Sequence, residues 1–253
     1  MFVPGAGGMM GAFLNEAEAA WSESTIVADY SARFYAEHAR RYAEVARQYL
    51  QSTYIRSSHP AVRTDRDLLE RLKELAPGKR GLDAGCGAGA RDVYSFWLSG
   101  FDIWGMDVVG ENVRLAGELH PEIAGRVLVG DLARRLPFED ASFDFVICDA
   151  VIQHIAPEAV AGVTLPELVR VLRPGGVLQL LFKNGSGVLT LFDRDYGAVR
   201  SFQLYDEHWV LEVLRRYRME LVQESSGEKP GGLIYLTDAK PSDHCVFYAR
   251  KVT

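Results

Sequence analysis

Strand-like and helical segments alternate from residue 80 to residue 182, and this alternation restricts the fold more than any other feature of the chain. The strand-like runs lie at residues 80–83, 101–108, 126–129, 143–148 and 177–182. Between them, helical patterns occupy residues 91–98, 112–119 and 164–172. This order is typical of parallel strands that are joined by right-handed helical crossovers. The sequence therefore predicts an α/β fold with a doubly wound sheet.

The N-terminal part of the chain is expected to form a helical cap. Residues 29–50 have a helical pattern in which Tyr35, Tyr42 and Tyr49 recur every seven residues. Most tyrosines with this spacing belong to a core, and a minority line a ligand pocket. We therefore expect a tail and cap over residues 1–60, and one α/β domain over the rest of the chain, residues 61–253.

The C-terminal part changes character after the fifth predicted strand. A segment rich in aromatic residues, about 183–209, is expected to be an insertion that covers the substrate, and a helix should follow near residues 206–217. Two final strands are predicted near 219–224 and 244–251. Because only turn-like sequence separates these two strands, they are expected to pair antiparallel.

Composition and charge exclude some classes of protein. The chain has 253 residues and a net charge of −6, which argues against a general binder of nucleic acids or other polyanions. Residues 33–80 nevertheless carry 11 Lys and Arg against 6 Asp and Glu. The favoured interpretation is that these bases lie on solvated helix faces, and the alternative is a basic rim that attracts an anionic substrate.

The cysteines and the hydropathy pattern bear on the compartment. Cys86, Cys148 and Cys245 are scattered and show no disulfide framework or metal-ligand spacing, so we expect no bound metal and a cytoplasmic location. The N-terminal residues do not resemble a secretory signal, and no run of apolar residues is long enough to cross a membrane. A homodimer stays possible.

The segment GLDAGCGAGA, residues 81–90, follows the first predicted strand and contains several glycines. In doubly wound sheets the first loop between strand and helix usually holds the ligand, and glycines let a ligand approach the backbone. Taken alone, such a loop also fits a dinucleotide site.

Three acidic residues narrow the choice of ligand. Asp83 precedes the loop glycines, where a carboxylate suits a cation better than a pyrophosphate. Asp107 ends the second strand, where it can accept both hydroxyls of a ribose. Asp131 follows the third strand, where it can accept from an exocyclic amine, with Val108 and Leu132 as apolar plates for a base. A ligand with an ammonium group, a ribose and an adenine uses all three carboxylates.

Four consecutive motifs resemble one known family. GLDAGCGAGA, GMDVV, GDLARRLPFEDASFDFVICDAVIQHI and ELVRVLRPGGVLQL occur in this order over about residues 80–182. Together they resemble the signatures of class I S-adenosylmethionine-dependent methyltransferases, in particular the branch that acts on small molecules. The resemblance implies a seven-stranded sheet whose last strand is antiparallel, and S-adenosylmethionine as cofactor, with S-adenosylhomocysteine as its product.

The resemblance also implies roles for individual residues. The loop residues Gly85, Cys86 and Gly87 would lie against the amino-acid part of the cofactor, and Asp83 would order that loop or bind the amino group through water. Asp107 with Val108 would bind the ribose and base, Asp131 with Leu132 the adenine, and Asp149 the methionine end. A tyrosine of the cap, Tyr42 or Tyr35, could also contact the methionine end.

The substrate side is expected from segments outside the motifs. His154, just after the fourth strand, is the candidate general base for an acceptor that must lose a proton, although a packing role is the more frequent one for such a histidine. His208 is a weaker candidate. The predicted pocket residues are the aromatic side chains of the cap and of the insertion: Tyr30, Tyr35, Phe192, Tyr196 and Trp209.

Several functions therefore stay open at the level of sequence. The leading prediction is methyl transfer to an oxygen or nitrogen of a small metabolite. Methylation of an RNA nucleotide has only the basic segment 33–80 in its favour, and an S-adenosylmethionine-binding protein without catalysis is a third possibility. A nicotinamide oxidoreductase is disfavoured because a dinucleotide site would give Asp83 and Asp131 no binding role.

Overall fold

A computed structural model describes residues 31, 33–35, 37–38, 40–42, 44–45, 54–238 and 242–252. Its strands are β1 Arg56–Ser57, β2 Arg80–Ala84, β3 Asp102–Asp107, β4 Val127–Val129, β5 Phe143–Asp149, β6 Leu172–Lys183, β7 Val188–Asp193, β8 Ala198–Gln203, β9 Met219–Leu221, β10 Ile234–Thr237 and β11 Asp243–Lys251. Its helices are α1, with helical described positions between 31 and 45, α2 Asp65–Leu75, α3 Arg91–Leu98, α4 Gly110–Leu119, α5 Pro157–Ala159, α6 Leu165–Val171 and α7 Glu207–Arg216. Short 3-10 helices lie at Pro121–Arg126 and Ile152–His154, and a π-helical turn, Val160–Thr164, connects α5 to α6.

The central sheet has the strand order β1-β10-β11-β6-β5-β2-β3-β4, with β9 also paired to β11. Strands β2 to β6 are parallel to one another, whereas β11 is antiparallel to β6, β9 and β10. From β2 the chain first winds towards β4 and then returns to β5 on the other side. The winding therefore reverses between β2 and β5, and ligands of doubly wound sheets bind at the carboxyl ends of the strands at such a point.

Buried apolar residues on both faces of the sheet explain why the middle of β5, residues 145–148, is continuously apolar. Along this strand, Phe145 and Ile147 face the cluster that α2, α3 and α4 cover, while Val146 and Cys148 face the cluster covered by α6 and α7. All four side chains are at most 1% exposed. A strand that is buried on both faces has no polar side, so no alternation appears in its sequence.

The α/β class and the doubly wound sheet are confirmed. The five parallel strands lie where the alternation predicts them, and the last predicted strand is antiparallel, as expected. The strand count differs, because the central sheet has nine strands among the described residues. Strand β10 was not predicted; it lies in the segment read as turns and pairs with the first half of β11, whereas β9 pairs with the second half.

Two regions near the predicted domain limits have structure that the sequence did not predict. Strand β1 lies before residue 61 and pairs antiparallel with β10, so the sheet includes part of the predicted cap segment. The predicted insertion contains an antiparallel hairpin, β7–β8, outside the central sheet. Among the described residues no helix has the length and apolar character needed to cross a lipid bilayer.

Candidate functional site

A cavity of about 330 Å³ lies at the carboxyl ends of β2, β3 and β5. The loops that follow β2, β3, β4 and β5 form its walls, and α1 covers it with Ser31, Tyr35 and Tyr42. No lysine or arginine lines the cavity among the described residues. The basic rim considered for residues 33–80 therefore has no support here, and several of these bases instead pair with acids on helix surfaces, as Arg41 does with Glu44.

The loop after β2 needs glycine for two separate reasons. Gly85 and Gly87 have φ angles of +97° and +65°, which a residue with a Cβ rarely adopts. A Cβ on Gly85 would also lie 2.3 Å from a methyl carbon of Val151, and one on Gly87 would lie 3.1 Å from the hydroxyl of Tyr42. The loop thus passes directly under the cap helix.

Asp107 is the most tightly held carboxylate of the cavity wall. It accepts hydrogen bonds from the backbone N–H groups of Gly87 (2.9 Å) and Val109 (2.8 Å), and from the Nδ2 group of Asn112 (3.0 Å). Burial raises its pKa, and these three hydrogen bonds to the charged form oppose that effect. Asp107 therefore connects the glycine loop after β2 to the start of α4.

Asn112 was not predicted as a site residue, although it lines the cavity. It is 2% exposed, and its Oδ1 atom is buried without a hydrogen-bond partner among the described residues. The sequence feature that could have identified Asn112 is a polar residue at a helix position that faces the interior. A buried acceptor without a partner is costly, and a bound donor would remove that cost.

Asp131 also lines the cavity, as do Val108 and Leu132, the two apolar residues predicted to pack against the base. Asp131 accepts a hydrogen bond from the backbone N–H of Ala133 (2.8 Å), which fixes the turn after β4. Val108 is 60% exposed, whereas Leu132 is buried at the edge of the core. The structure thus brings Val108, Leu132 and Asp131 together at one end of the cavity.

Asp83, Asp149 and Cys86 lie behind the cavity wall, since none of them is among its lining residues. Asp149 accepts a hydrogen bond from Nε2 of Gln179 (2.6 Å), while its Oδ1 has no partner among the described residues. Burial raises the pKa of Asp149 to about 8 and raises that of Asp83 well above its usual value. Cys86 packs against the core next to Gly105, where it acts as a small apolar side chain.

The other end of the cavity contains His154, Tyr35 and Ser31. The hydroxyl of Tyr35 lies 3.2 Å from Nε2 of His154, and the hydroxyl of Ser31 lies 3.2 Å from its Nδ1. Burial, together with the charges of Arg200 and Lys183, lowers the pKa of His154 to about 3. A histidine with so low a pKa is a weak proton acceptor, so this environment gives the predicted role as general base no support, and that role stays a prediction.

Arg200, on β8, was not predicted and lies at the centre of an aromatic cluster. Its guanidinium carbon is 4.7–5.3 Å from the ring centroids of Phe34, Tyr35, Tyr196 and Phe202. It forms an ion pair with buried Asp193 (3.0 Å) and donates a hydrogen bond to the hydroxyl of Tyr35. The ion pair joins the two strands of the β7–β8 hairpin, and the cation–π contacts with Phe34 and Tyr35, together with the hydrogen bond to Tyr35, tie this hairpin to α1.

The predicted pocket residues do not all meet. Tyr35 lines the cavity, and Tyr196 stacks on Tyr42 at 6.3 Å. Phe192 is 61% exposed on β7, and Trp209 stacks on Tyr205 (5.6 Å) in the core, so neither lines the cavity. His208 is exposed on α7, and Tyr30 lies outside the described residues.

Residues 82–180 match the sequence profile of a methyltransferase domain. This region contains the glycine loop, Asp107, Asp131 and His154. Residues 82–180 thus form a methyltransferase domain. The family that the four motifs resemble is thereby confirmed, and S-adenosylmethionine is the cofactor of this family. The roles predicted for individual residues remain predictions.

The chain is similar to curated proteins in sequence and to solved structures in fold. A 2-methyl-6-phytyl-1,4-hydroquinone methyltransferase from Synechocystis is 36% identical over 108 residues, which cover 42% of this chain and 33% of that protein. The crystal structure of the [4+2]-cyclase SpnF superposes with a TM-score of 0.60 at 17% identity and covers 87% of this chain and 95% of that one.

A further solved structure has a small molecule and a cofactor product bound. It is a Burkholderia thailandensis 1,6-didemethyltoxoflavin-N1-methyltransferase with 1,6-didemethyltoxoflavin and S-adenosylhomocysteine, at a TM-score of 0.52 and 20% identity, covering 73% of this chain and 77% of that one. At such identities the likeness of the solved structures concerns the fold alone. The chain spans 33% to 61% of the length of the curated relatives it matches.

Proposed function

We propose that this protein transfers a methyl group from S-adenosylmethionine to an oxygen or nitrogen atom of a small metabolite. The observation that carries the proposal is the position of Asp107. Its buried carboxylate lies at the end of β3, is held by the glycine loop, and forms part of the wall of a 330 Å³ cavity. This position suits the recognition of two neighbouring hydroxyl groups, such as those of a ribose.

The described residues fit the cofactor in three respects. Gly87, which has a positive φ angle, has no Cβ that would hold a ligand away from the loop backbone. The buried Oδ1 of Asn112 is an acceptor without a partner among the described residues. Val108 and Leu132 flank Asp131, which suits an adenine that lies between apolar side chains and donates its amine hydrogen to a carboxylate.

The bound cofactor would supply an electrophilic methyl group, and the chain's own task is to position the acceptor and to exclude water. Methyl transfer to a nucleophilic atom in line with the leaving sulfur depends mainly on such positioning. The covering helix α1 places Tyr35 and Tyr42 over the cavity, and Arg200 ties this helix to the β7–β8 hairpin. These elements would close the end of the cavity that contains His154, Tyr35 and Ser31, which we call the acceptor end.

The proposed acceptor is a small aromatic molecule. The matched Synechocystis relative is named for a hydroquinone. Such an acceptor would suit the aromatic side chains of α1, Tyr35 and Tyr42, that line the cavity. The expected cytoplasmic location, the possible homodimer and the absence of a nucleic-acid partner stay predictions.

Calorimetric titration of the full chain with S-adenosylhomocysteine and, separately, with NAD tests the cofactor assignment. We expect saturable binding of S-adenosylhomocysteine and none of NAD, and the reverse ranking would refute the proposal. Incubation with a metabolite extract and a radiolabelled methyl donor, followed by isolation of the labelled product, then identifies the acceptor atom. Binding without any labelled product would favour a cofactor-binding protein without catalysis.

A further inference from the structure

The acceptor end of the cavity contains a chain of polar groups contributed by four separate elements. Asp193 on β7 pairs with Arg200 on β8, Arg200 donates to the hydroxyl of Tyr35 on α1, and this hydroxyl lies 3.2 Å from Nε2 of His154. Ser31 completes the chain at Nδ1. Tyr35, His154 and Ser31 also line the cavity.

The direction of each hydrogen bond in this series follows from Arg200. A guanidinium group has only donors, so the oxygen of Tyr35 accepts from Arg200. The phenolic hydrogen must then point elsewhere, and Nε2 of His154 is the acceptor within reach. A neutral imidazole that accepts at Nε2 carries its hydrogen on Nδ1, where the hydroxyl of Ser31 can accept it.

The opposite assignment uses the same atoms less well. If Nε2 of His154 carried the hydrogen and donated it to Tyr35, the phenolic hydrogen would lack an acceptor among the described protein groups around it. A buried donor without a partner is disfavoured, so the arrangement that begins at Arg200 is the more stable one.

We infer that Arg200 is a positioning residue that orders Tyr35 and His154, and that it holds His154 as the neutral tautomer with its hydrogen on Nδ1. Only the consequence of this inference for the methyl acceptor rests on the proposed function. A methyl acceptor at this end must be nucleophilic without losing a proton to His154. Suitable groups are a carboxylate, an acidic hydroxyl that is already ionised, or a neutral amine or ring nitrogen.

The charges around His154 agree with a neutral ring. Tyr35 and Ser31 face it from α1, Phe202 and Arg200 from β8, and Lys183 from the end of β6. The two cations are the charged groups that act on its pKa, and both disfavour a second positive charge.

Nuclear magnetic resonance of the full chain with ¹⁵N-labelled histidine tests the inference directly. The His154 signals are assigned by their absence in His154→Gln, and two-bond proton–nitrogen correlations report which ring nitrogen carries the hydrogen. We expect His154 to stay neutral from pH 5.5 to pH 8, with Nδ1 protonated. A protonated Nε2, or a titration midpoint near the ordinary value of about 6.5, would overturn the inference.

Variants separate ordering by Arg200 from simple packing. Tyr35→Phe removes the donor to Nε2, so the Nε2 signal should move towards that of an unbonded nitrogen. The double variant R200Q/D193N removes both charges without leaving a buried carboxylate unpaired, and we expect a shift in the same direction. Arg200→Lys retains a donor for Tyr35 and should keep the wild-type tautomer, and Arg194→Gln, an exposed residue of the same hairpin, is the matched control.

Unchanged His154 signals in both Tyr35→Phe and R200Q/D193N would exclude a positioning role. If the double variant does not fold, Tyr35→Phe and the wild-type titration still decide the question. Calorimetry with S-adenosylhomocysteine on the same samples keeps the two hypotheses apart. A wild-type protein that fails to bind this compound refutes the proposed function and leaves the tautomer result standing.

Discussion

The two ends of the cavity are built in different ways. The cofactor end is the end that contains Asp107 and Asp131, and loops that directly follow parallel strands supply these residues and the glycines. Many contacts at this end join residues that are close in sequence, such as Asp107 and Val109. At the acceptor end, Tyr35 meets partners 119 and 165 residues away, His154 and Arg200. The first end is therefore fixed by the sheet, and the second depends on how a helix and a hairpin pack over it.

Asp149, behind the cavity wall, and His154, at the acceptor end, are both buried groups whose neutral forms are favoured, and the pH dependence of stability should reveal this with the largest effect. Asp149 has a folded-state pKa of about 8, whereas in the unfolded chain it ionises near the ordinary value of about 3.9. Ionisation thus favours the unfolded chain, and stability falls as the pH rises between these values. Asp149→Asn should reduce this loss by on the order of a few kcal/mol, as measured by urea unfolding from pH 5 to pH 8.

His154 should give the opposite slope. Its folded-state pKa of about 3 lies below the ordinary value of about 6.5, so the unfolded chain takes up the proton and stability falls as the pH drops below about 6.5. His154→Gln should flatten that acidic limb. The control Asp140→Asn replaces an exposed carboxylate and should leave both slopes unchanged. Equal slopes in the wild type and all variants would contradict the conclusion that Asp149 and His154 are neutral in the folded protein.

Asp107→Ala should separate the two ends most clearly in binding. The loss of charge-assisted hydrogen bonds, worth roughly 1.5 to 3 kcal/mol, should weaken S-adenosylhomocysteine at least about tenfold in calorimetry. Asp102→Asn, at the other end of the same strand and exposed, is the matched control and should bind as the wild type does. Unchanged affinity in Asp107→Ala would remove this residue from the site.

Gly87→Ala tests whether the cofactor end also depends on the cap. Gly87 and Gly175 both have positive φ angles, +65° and +80°, but only a Cβ at Gly87 has a neighbour, the hydroxyl of Tyr42. Both alanine variants should lose about 1 to 2 kcal/mol of stability in urea unfolding, because alanine is strained in this conformation. Only Gly87→Ala should also weaken S-adenosylhomocysteine, and equal affinities would show that the cap is not needed at this end.

Val108→Ala should have the smallest effect. If a base lies against this exposed side chain, the loss of about one or two buried methyl groups, at roughly 0.8 kcal/mol for each carbon, should weaken S-adenosylhomocysteine a few-fold. Val129→Ala is a comparable control, since Val129 is similarly exposed at the end of β4 but does not line the cavity. The same change in both variants would contradict the proposed contact with the base.

Sequence alone was sufficient where a segment's own pattern decides its structure. The alternation of segments predicted the five parallel strands, and the motifs over about residues 80–182 predicted the domain family, whose profile matches residues 82–180. It also placed Asp107, Asp131 and His154 at strand ends, and all three line the cavity. Strand position determines these locations because the carboxyl ends of parallel strands meet at one edge of a sheet.

Tertiary structure decided what no local pattern encodes. Strand β10 exists because β11 offers it an edge, and its short sequence has no strong periodicity of its own. Arg200 has no motif, and only the packing of the hairpin against α1 brings it to Tyr35 and, through Tyr35, to His154. The protonation of His154 follows from burial and from charges that are distant in sequence, because desolvation and electrostatic attraction depend on distance in space.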